Sequence, residues 1–471
     1  MCSSPTLIRR VLLATLLLVP IASNASVFEQ FGAGPRSAAL VGALSGSADG
    51  GEAAFHNPAL LTHAPLAGAW FGVAATGHAL SVQLARPVCE GRYLACRGQH
   101  QAGFSSRAAQ LPRDSQGFQL GWHYPLGGPL RGKAALGAGL SLPQGHIIRI
   151  SGADPQTPKF LLYEGMPDRI AFLFAVAARL GQQVSLGVGV QVLAVLDAAI
   201  DLGLDPTNHR MSRAAIAIGL APRARLTAGM AYKPLQTLTL GLSYRQRLSL
   251  EYKIPTTIDI GEPIKLDIAL GHETLFTPDI LHLGAGWKAT SRLLLSAEAS
   301  LAFWSQAPDP SPQVGLDVGG AAVQGLGLGK VLDVGTDTPP VQLALADTVS
   351  PGLAAEWRLA APLQLRAGYR FRPSPAPRAE GPYNYLDNHA HAFGAGIGLR
   401  FGTLSTPLQA ELDVQGVMAA EAPAPLRIDL GGQWLWLPRR TVLKRDRNDP
   451  VGDLAHGGSV WHAGLAFGGS F

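Results

Sequence analysis

From Leu363 to Arg372 the chain alternates without a break: Leu363, Leu365, Ala367, Tyr369 and Phe371 share one face, and Gln364, Arg366, Gly368, Arg370 and Arg372 share the other. A strict period of two over ten residues predicts a strand with two unlike faces, and three arginines on one face imply water there. The same signature recurs at Val184, Leu186, Val188 and Val190 against Ser185, Gly187, Gly189 and Gln191, and at Leu408, Ala410, Leu412 and Val414 against Gln409, Glu411, Asp413 and Gln415. A soluble sandwich also alternates. Two features separate the cases here: glycine recurs on the polar face, and the apolar face carries Leu, Val and Ala with Tyr, Phe or Trp near the strand ends. Small inward residues and an aromatic girdle fit a barrel whose outer wall meets lipid.

Fourteen such segments are predicted, at about 67–84, 116–126, 133–142, 170–180, 183–196, 222–232, 237–252, 280–289, 293–304, 350–359, 363–373, 391–402, 406–417 and 459–471. The connections alternate between short ones, such as Gly181-Gln182 and Thr403 to Ser405, and long ones, such as 197–221, 253–279, 305–349 and 418–458. Short turns on one side and long loops on the other are the asymmetry of outer-membrane barrels, and an even count leaves both barrel ends on the periplasmic side. The final segment sets Trp461, Ala463, Leu465, Phe467 and the terminal Phe471 on one face, a pattern resembling the assembly signal of such barrels. The fold class expected is all-β: a transmembrane antiparallel β-barrel of about 14 strands, with an N-terminal hatch inside the barrel.

Composition supports this reading. The 471 residues are enough for two or three soluble domains, yet only 15% are charged, against roughly 25% in a soluble domain, and 56 are glycine. Residues 1–25 run from Arg9 and Arg10 through an apolar stretch, Val11 to Ala22, to the small-residue site Ser23-Asn24-Ala25, as a secretory signal does. That apolar stretch is too short to span a bilayer, and no later segment has the length of a membrane helix. Removing Arg9 and Arg10 takes the net charge from +5 to about +3, which gives no reason to expect nucleic acid. Cys89 and Cys96 remain after the leader, and an oxidising compartment favours a disulfide clipping their loop, with metal or redox roles as alternatives.

Between leader and first strand lies a Gly/Ala/Ser-rich segment. Phe31-Gly32-Ala33-Gly34-Pro35-Arg36, the small-residue run Ser37 to Ala48, the acids Asp49 and Glu52, and Asn57-Pro58-Ala59 resemble the N-terminal hatch of the FadL/TodX family of long-chain fatty-acid and aromatic-hydrocarbon channels. Thr277 to Trp287 with Ala299 to Ser305, and Leu365 to Arg370 with Ser374 to Pro377 and Asp387 to His389, resemble later segments of the same family. Phe303 stands where the family usually has an acid, and the cysteine pair is not a general family feature. The resemblance implies residues 1–25 as signal, 26–65 as hatch and 66–471 as barrel. It implies capture of a hydrophobic ligand on an external groove, passage through a plugged bore, and lateral release into the membrane.

Candidate parts follow. Leu202 and Leu204, with Ile264, Leu266, Ile268, Leu270, Leu275 and Phe276, are apolar residues in the third and fourth long loops, suited to ligand capture or simply to packing the loops together. The segment holding Leu173 is apolar on both faces, as a greasy pocket or a hatch contact requires. Pro143 and Gly145 end the third strand and are candidates for a lateral gate or for ordinary strand termination. Asn57 heads a turn whose role is expected to be structural. His389 and His391 lack acidic or cysteine partners at ligand spacing, Gly325 to Lys330 fits no phosphate-loop pattern, and no nucleophile elbow occurs, so neither metal, cofactor nor enzymatic activity is expected. Expected partners are outer-membrane lipids, hydrophobic small molecules and, during insertion, the barrel-assembly machinery, with the chain a monomer. Competing readings are an accessory docking subunit of a protein-secretion system, a barrel lipase and an open diffusion porin.

Overall fold

Each alternating stretch has an apolar file that lipid can cover and a small or polar file that only an enclosed bore can accept, so strands close on one another rather than leave an edge in the membrane. The computed structural model describes residues 28–84, 109–144, 156–163, 170–205, 210–259, 265–310, 313–319, 343–381, 383–401, 426–445 and 451–471. In chain order the strands are β1 (Gly68–Leu84), β2 (Ser115–Pro125), β3 (Ala134–Pro143), β4 (Lys159–Phe160), β5 (Ala171–Leu180), β6 (Val184–Asp205), β7 (Arg210–Leu235), β8 (Leu238–Arg245), β9 (Leu248–Asp259) and β10 (Lys265–Thr277). They continue as β11 (Ile280–Lys288), β12 (Leu293–Ala302), β13 (Gln313–Gly319), β14 (Thr348–Arg358), β15 (Leu363–Arg372), β16 (Tyr385–Leu386), β17 (Ala390–Phe401), β18 (Leu426–Val442) and β19 (Leu454–Ser470).

Seventeen of these form one sheet, while β4 and β16 pair separately and tie two outer loops together. From the large sheet β9, β10 and β13 branch off, and the remaining fourteen close as β1-β2-β3-β5-β6-β7-β8-β11-β12-β14-β15-β17-β18-β19, each antiparallel to its neighbours. The seam joins β1 to β19 from Gly68↔Ser470 to Leu84↔Leu454. That register puts the start of β1, the end of β19 and the turns after β2, β5, β7, β11 and β14 at one rim, the periplasmic one by the short-turn rule.

The outward file carries the membrane-facing surface. On β5 Phe172, Phe174 and Val176 are exposed while Ala171, Leu173, Ala175 and Ala177 are buried. Tyr369, Phe393, Trp434 and Trp461 stand in register on four neighbouring strands near the outer rim. Trp287, Trp357 and Phe401 are exposed near the periplasmic rim. From Phe393 to Phe401 is eight residues, which at ~3.3 Å each and the usual barrel tilt spans roughly 20 Å of membrane height. That is close to the lipid-facing band of such barrels.

The structure corrects several expectations. The thirteenth barrel strand is 426–442, inside the stretch expected as a long loop, and the predicted strand 406–417 falls in 402–425, outside the described residues. The misreading has a physical cause: Arg427 and Asp429 look like loop residues, but both point into the bore and pair with each other. The connection after β18 is therefore only 443–453, and the expected short turn Thr403 to Ser405 belongs to a 24-residue connection between Phe401 and Leu426. The expected loops 197–221, 253–279 and 305–349 are also partly sheet: β6 and β7 run on together past the barrel, and β9, β10 and β13 extend them. The predicted strand 237–252 breaks after Arg245 into β8 and β9. The expected leader, residues 1–25, and Cys89, Cys96 and Gly145 lie outside the described residues.

Candidate functional site

Residues 28–64 fill the bore. They form short helices Phe28–Phe31, Gly34–Ala39 and Ala53–His56 and 3₁₀ turns Gly50–Glu52 and Pro58–His63. No segment here is long enough to be stable as an isolated helix, so packing against the wall must hold it. The small residues make that packing possible. Ala38, Ala39, Ala53, Ala54 and Ala59 are fully buried, and the inward glycines of the wall let the hatch backbone approach to contact. A Cβ at Gly241 would sit 1.8 Å from the Ser45 carbonyl oxygen, and one at Gly431 2.0 Å from that of Pro35. The recurrence of glycine on the inward file is thus a record of where the hatch touches.

Asn57 is buried at the head of the last turn. Its Oδ1 accepts from the Ala59 N–H at 3.2 Å, and its Nδ2 donates to the Ser45 carbonyl at 2.8 Å and to that of Met230 on β7 at 3.0 Å. One amide therefore caps the turn Pro58–His63, joins two hatch segments and ties both to the wall. Pro58 supplies the fixed φ at the first position of that turn, and Ala59 packs with no exposed surface.

Charge completes the seat. Arg36 donates to Glu52 at 2.5 Å and to Glu356 of β14 at 2.9 Å, and Arg366 of β15 bridges Glu356 at 2.6 Å and Asp429 of β18 at 2.5 Å. Glu298 of β12 accepts from the Leu44 and Ser45 N–H groups at 3.1 and 2.8 Å, from the Ser45 hydroxyl at 2.6 Å and from Arg370 at 2.8 Å. Arg372 donates to the Gln30 carbonyl at 2.8 Å, and Arg245 donates to that of Phe55 at 2.8 Å while lying over its ring. The inward arginines of β15, expected to face water, instead meet carboxylates and hatch backbone. Buried charges persist when paired and hydrogen-bonded, as Arg36, Arg366 and Arg370 are to carboxylates, while Arg245 and Arg372 donate to hatch carbonyls. Reading one strand at a time does not reveal the network because its parts lie up to 342 residues apart; the sequence signal is the inward register of Glu298 and Glu356 opposite inward arginines.

Leu173 is buried: the inward face of β5 packs on the hatch, where Leu60, Leu61, Ala54 and Leu173 belong to one apolar cluster. Pro143 is the last residue of β3, opposite Gly117 of β2. Pairing between β3 and β5 is continuous from Ala134↔Ala178 to Ser141↔Ala171 and stops there, so Leu142 and Pro143 keep β2 as their only strand partner among the described residues. A cavity of about 270 Å³ lies between hatch and wall beside Pro35, Trp70 and Arg427.

The other apolar candidates come together outside the barrel. The tip of β6 pairs in parallel with β9, and β9 pairs with β10, so Leu202, Ile258 and Leu266 form one cross-strand row and Ile200, Thr256 and Ile268 the next on the same face. The opposite face carries Asp201, Thr257 and Asp267, where the Thr257 hydroxyl donates to Asp267 at 2.6 Å. Leu270 follows two residues after Ile268 on β10, Leu204 is the penultimate residue of β6, just beyond a bulge, and Leu275 pairs with Leu250. Phe276 meets Trp304 edge to face, 6.1 Å between centroids, at the base of the projection. Residues expected in two separate loops thus share an amphipathic sheet.

A closed barrel with an apolar outer band and a bore filled by its own N-terminal segment defines the class: a plugged β-barrel of the outer-membrane type. The particular fold is that of the FadL-type barrels. A Pseudomonas aeruginosa FadL homologue is similar over 96% of this chain and 98% of its own, with a TM-score of 0.53 and 14% identity. The Pseudomonas putida toluene transporter TodX is similar over 94% of this chain and 99% of its own, with a TM-score of 0.51 and 16% identity. No protein-family model matches the chain, and no curated protein matches it either.

Proposed function

We propose that this protein is an outer-membrane channel for the uptake of hydrophobic compounds. The observation that carries the reading is the combination of a sealed bore with an external sheet whose apolar face, built from Leu202, Ile258, Leu266 and Ile268, stands beyond the membrane. An open porin needs neither. A lipophile gains from such a face because each buried CH₂ contributes about 0.8 kcal/mol, whereas a polar solute gains nothing. The solved barrels of similar fold include a toluene transporter, which agrees with this assignment. Long-chain fatty acids and aromatic hydrocarbons are the proposed cargo, and exit is proposed at the outer end of β3, near Pro143 and Gly145, where β5 ceases to pair.

Deletion strains carrying the gene on a plasmid test the reading. Uptake of a fluorescent long-chain fatty acid or of radiolabelled toluene is expected to rise with expression, while entry of a small sugar does not. Equal rates with and without the protein for both lipophiles would overturn it. The projecting sheet also favours a second reading, docking of a secreted or secretion-system protein by strand addition, because β13 pairs only with β10 among the described residues. Copurification of a stable protein partner together with unchanged lipophile uptake would favour that reading.

A further inference from the structure

The periplasmic ends of the barrel strands repeat one device. Counting along each strand from a buried inward residue, the last inward position is Lys133 before Ala135, Arg179 after Ala177, Lys233 after Ala231, Lys288 after Gly286, Arg358 after Glu356 and Arg400 after Gly398. Arg292, on the turn before β12, adds a seventh. All seven line one cavity of about 1110 Å³ beneath the hatch, together with His63, and the acids on its wall are Asp49 and Glu356. Glu356 is already committed to Arg36 and Arg366. Among the described residues no carboxylate forms an ion pair with any of the seven cations.

Converging like charges repel, and seven of them on separate strands raise the free energy of the folded state unless something anionic offsets them. Ordinary interfacial anchoring does not account for the arrangement. Cations that hold a barrel to lipid phosphates stand on the outward file, but here the outward neighbours are Tyr232, Trp287, Trp357 and Phe401, and the charges alternate inward. The cavity is concave, large enough for a small organic ligand, and bordered by Leu60 and His63 of the hatch turn. Arg179 reaches across to donate to the Thr62 carbonyl, which couples this wall to the last turn of the hatch.

We propose that the periplasmic vestibule is a binding site for a soluble multivalent anion of the phosphate class, separate from the hydrophobic route. The cations are spread around the bore, so they suit a ligand bearing two or more charged groups better than a single carboxylate. Lysine and arginine recognise phosphate as point charge and fork respectively, and both are present. Occupancy draws the rim lysines toward the hatch, so a bound anion should strengthen hatch retention.

Isothermal titration of the purified full-length barrel with inorganic pyrophosphate tests this. Saturable binding is expected at low ionic strength, weakening steeply with added salt. The triple variant Lys133→Gln, Lys233→Gln, Lys288→Gln should lose at least tenfold in affinity while keeping its circular dichroism spectrum and lipophile uptake. The corresponding Lys→Arg variant should retain binding. Single inorganic phosphate is expected to compete weakly, and nanodiscs with or without phosphatidylglycerol should give the same pyrophosphate affinity. Absence of binding to the wild type, equal binding to the Gln variant, or full displacement by phosphatidylglycerol would overturn the proposal. So would a preference for an acidic peptide over pyrophosphate. The connection between β17 and β18 carries Glu411, Asp413 and Glu421 and no basic residue. Binding that appears only after those three are replaced by amides would mean that the chain supplies its own counter-charge, and the proposal would fall.

Discussion

Arg36 illustrates how single residues decide whether the bore stays closed. It sits in the hatch with its side chain almost wholly buried and answers two carboxylates, Glu52 beside it and Glu356 across on the wall. Arg36→Ala leaves buried Glu52 without its ion-pair partner and Glu356 with Arg366 alone, a loss of about 3–5 kcal/mol for a broken buried pair. Because the barrel ladder does not involve Arg36, the penalty should fall on hatch retention. Planar-bilayer recordings are expected to show larger or more frequent ion conductance than wild type, and an unchanged trace would show that the pair does not hold the hatch. The inward glycines set the other constraint at this scale. Gly241→Val should have a similar effect, because the Ser45 carbonyl occupies the space the side chain needs, whereas Gly127→Val, at a turn with open space around it, should not.

At the scale of elements, β6, β9 and β10 have the most to explain. Their lower parts belong to the wall or adjoin it, and their upper parts continue beyond it as a sheet with one apolar and one acidic face. An apolar face on an external sheet, half-buried here, is costly wherever it meets water and is retained where it meets something apolar. Leu202→Asp together with Ile268→Asp is expected to slow lipophile uptake several-fold at low external concentration and much less at saturation, since capture rather than passage is lost. Concentration-dependent uptake curves check this, and an equal loss at all concentrations would point to damaged passage instead. The alternation that makes these elements strands is plain in the sequence. Their height above the membrane is not, because period two is the same in a lipid-facing strand and in an external hairpin.

The whole molecule behaves as a cylinder sealed by a plug of short helices and turns, and acid should loosen that seal. Burial first, then the nearby Arg179, Lys233 and Lys288, hold the His63 imidazole down from 6.5 to about 4, with Asp49 opposing; His56, bonded to the Ser37 hydroxyl, is held down by burial to about 3. Both are neutral in the folded hatch. Their contribution to hatch stability is therefore fully present above about pH 6.5 and is lost as the pH falls through that value toward 4 and below. Liposomes bearing the protein are expected to leak small ions faster as the pH drops from 6.5 to 4, and His63→Gln should flatten the upper part of that response. A leak that decreased over this interval would contradict the assignment.

The sequence by itself determined that the chain is a barrel of fourteen membrane strands with a small-residue segment ahead of them. Both follow from local rules: period-two alternation records which atoms meet lipid, and Asn57-Pro58-Ala59 writes a turn whatever surrounds it. Tertiary structure alone decided what fills the inward file. Arg366, Arg370, Glu298, Glu356 and Asp429 read as water-facing one strand at a time, and only lateral pairing of the strands around a seated hatch brings them to each other and to Arg36 and Ser45. It also decided that the thirteenth strand is 426–442, since the inward Asp429 of that strand, beside Arg427, meets Arg366 of β15 inside the bore. Compensation of charge between strands is a property of the enclosed space, and the periodicity of one strand does not carry it.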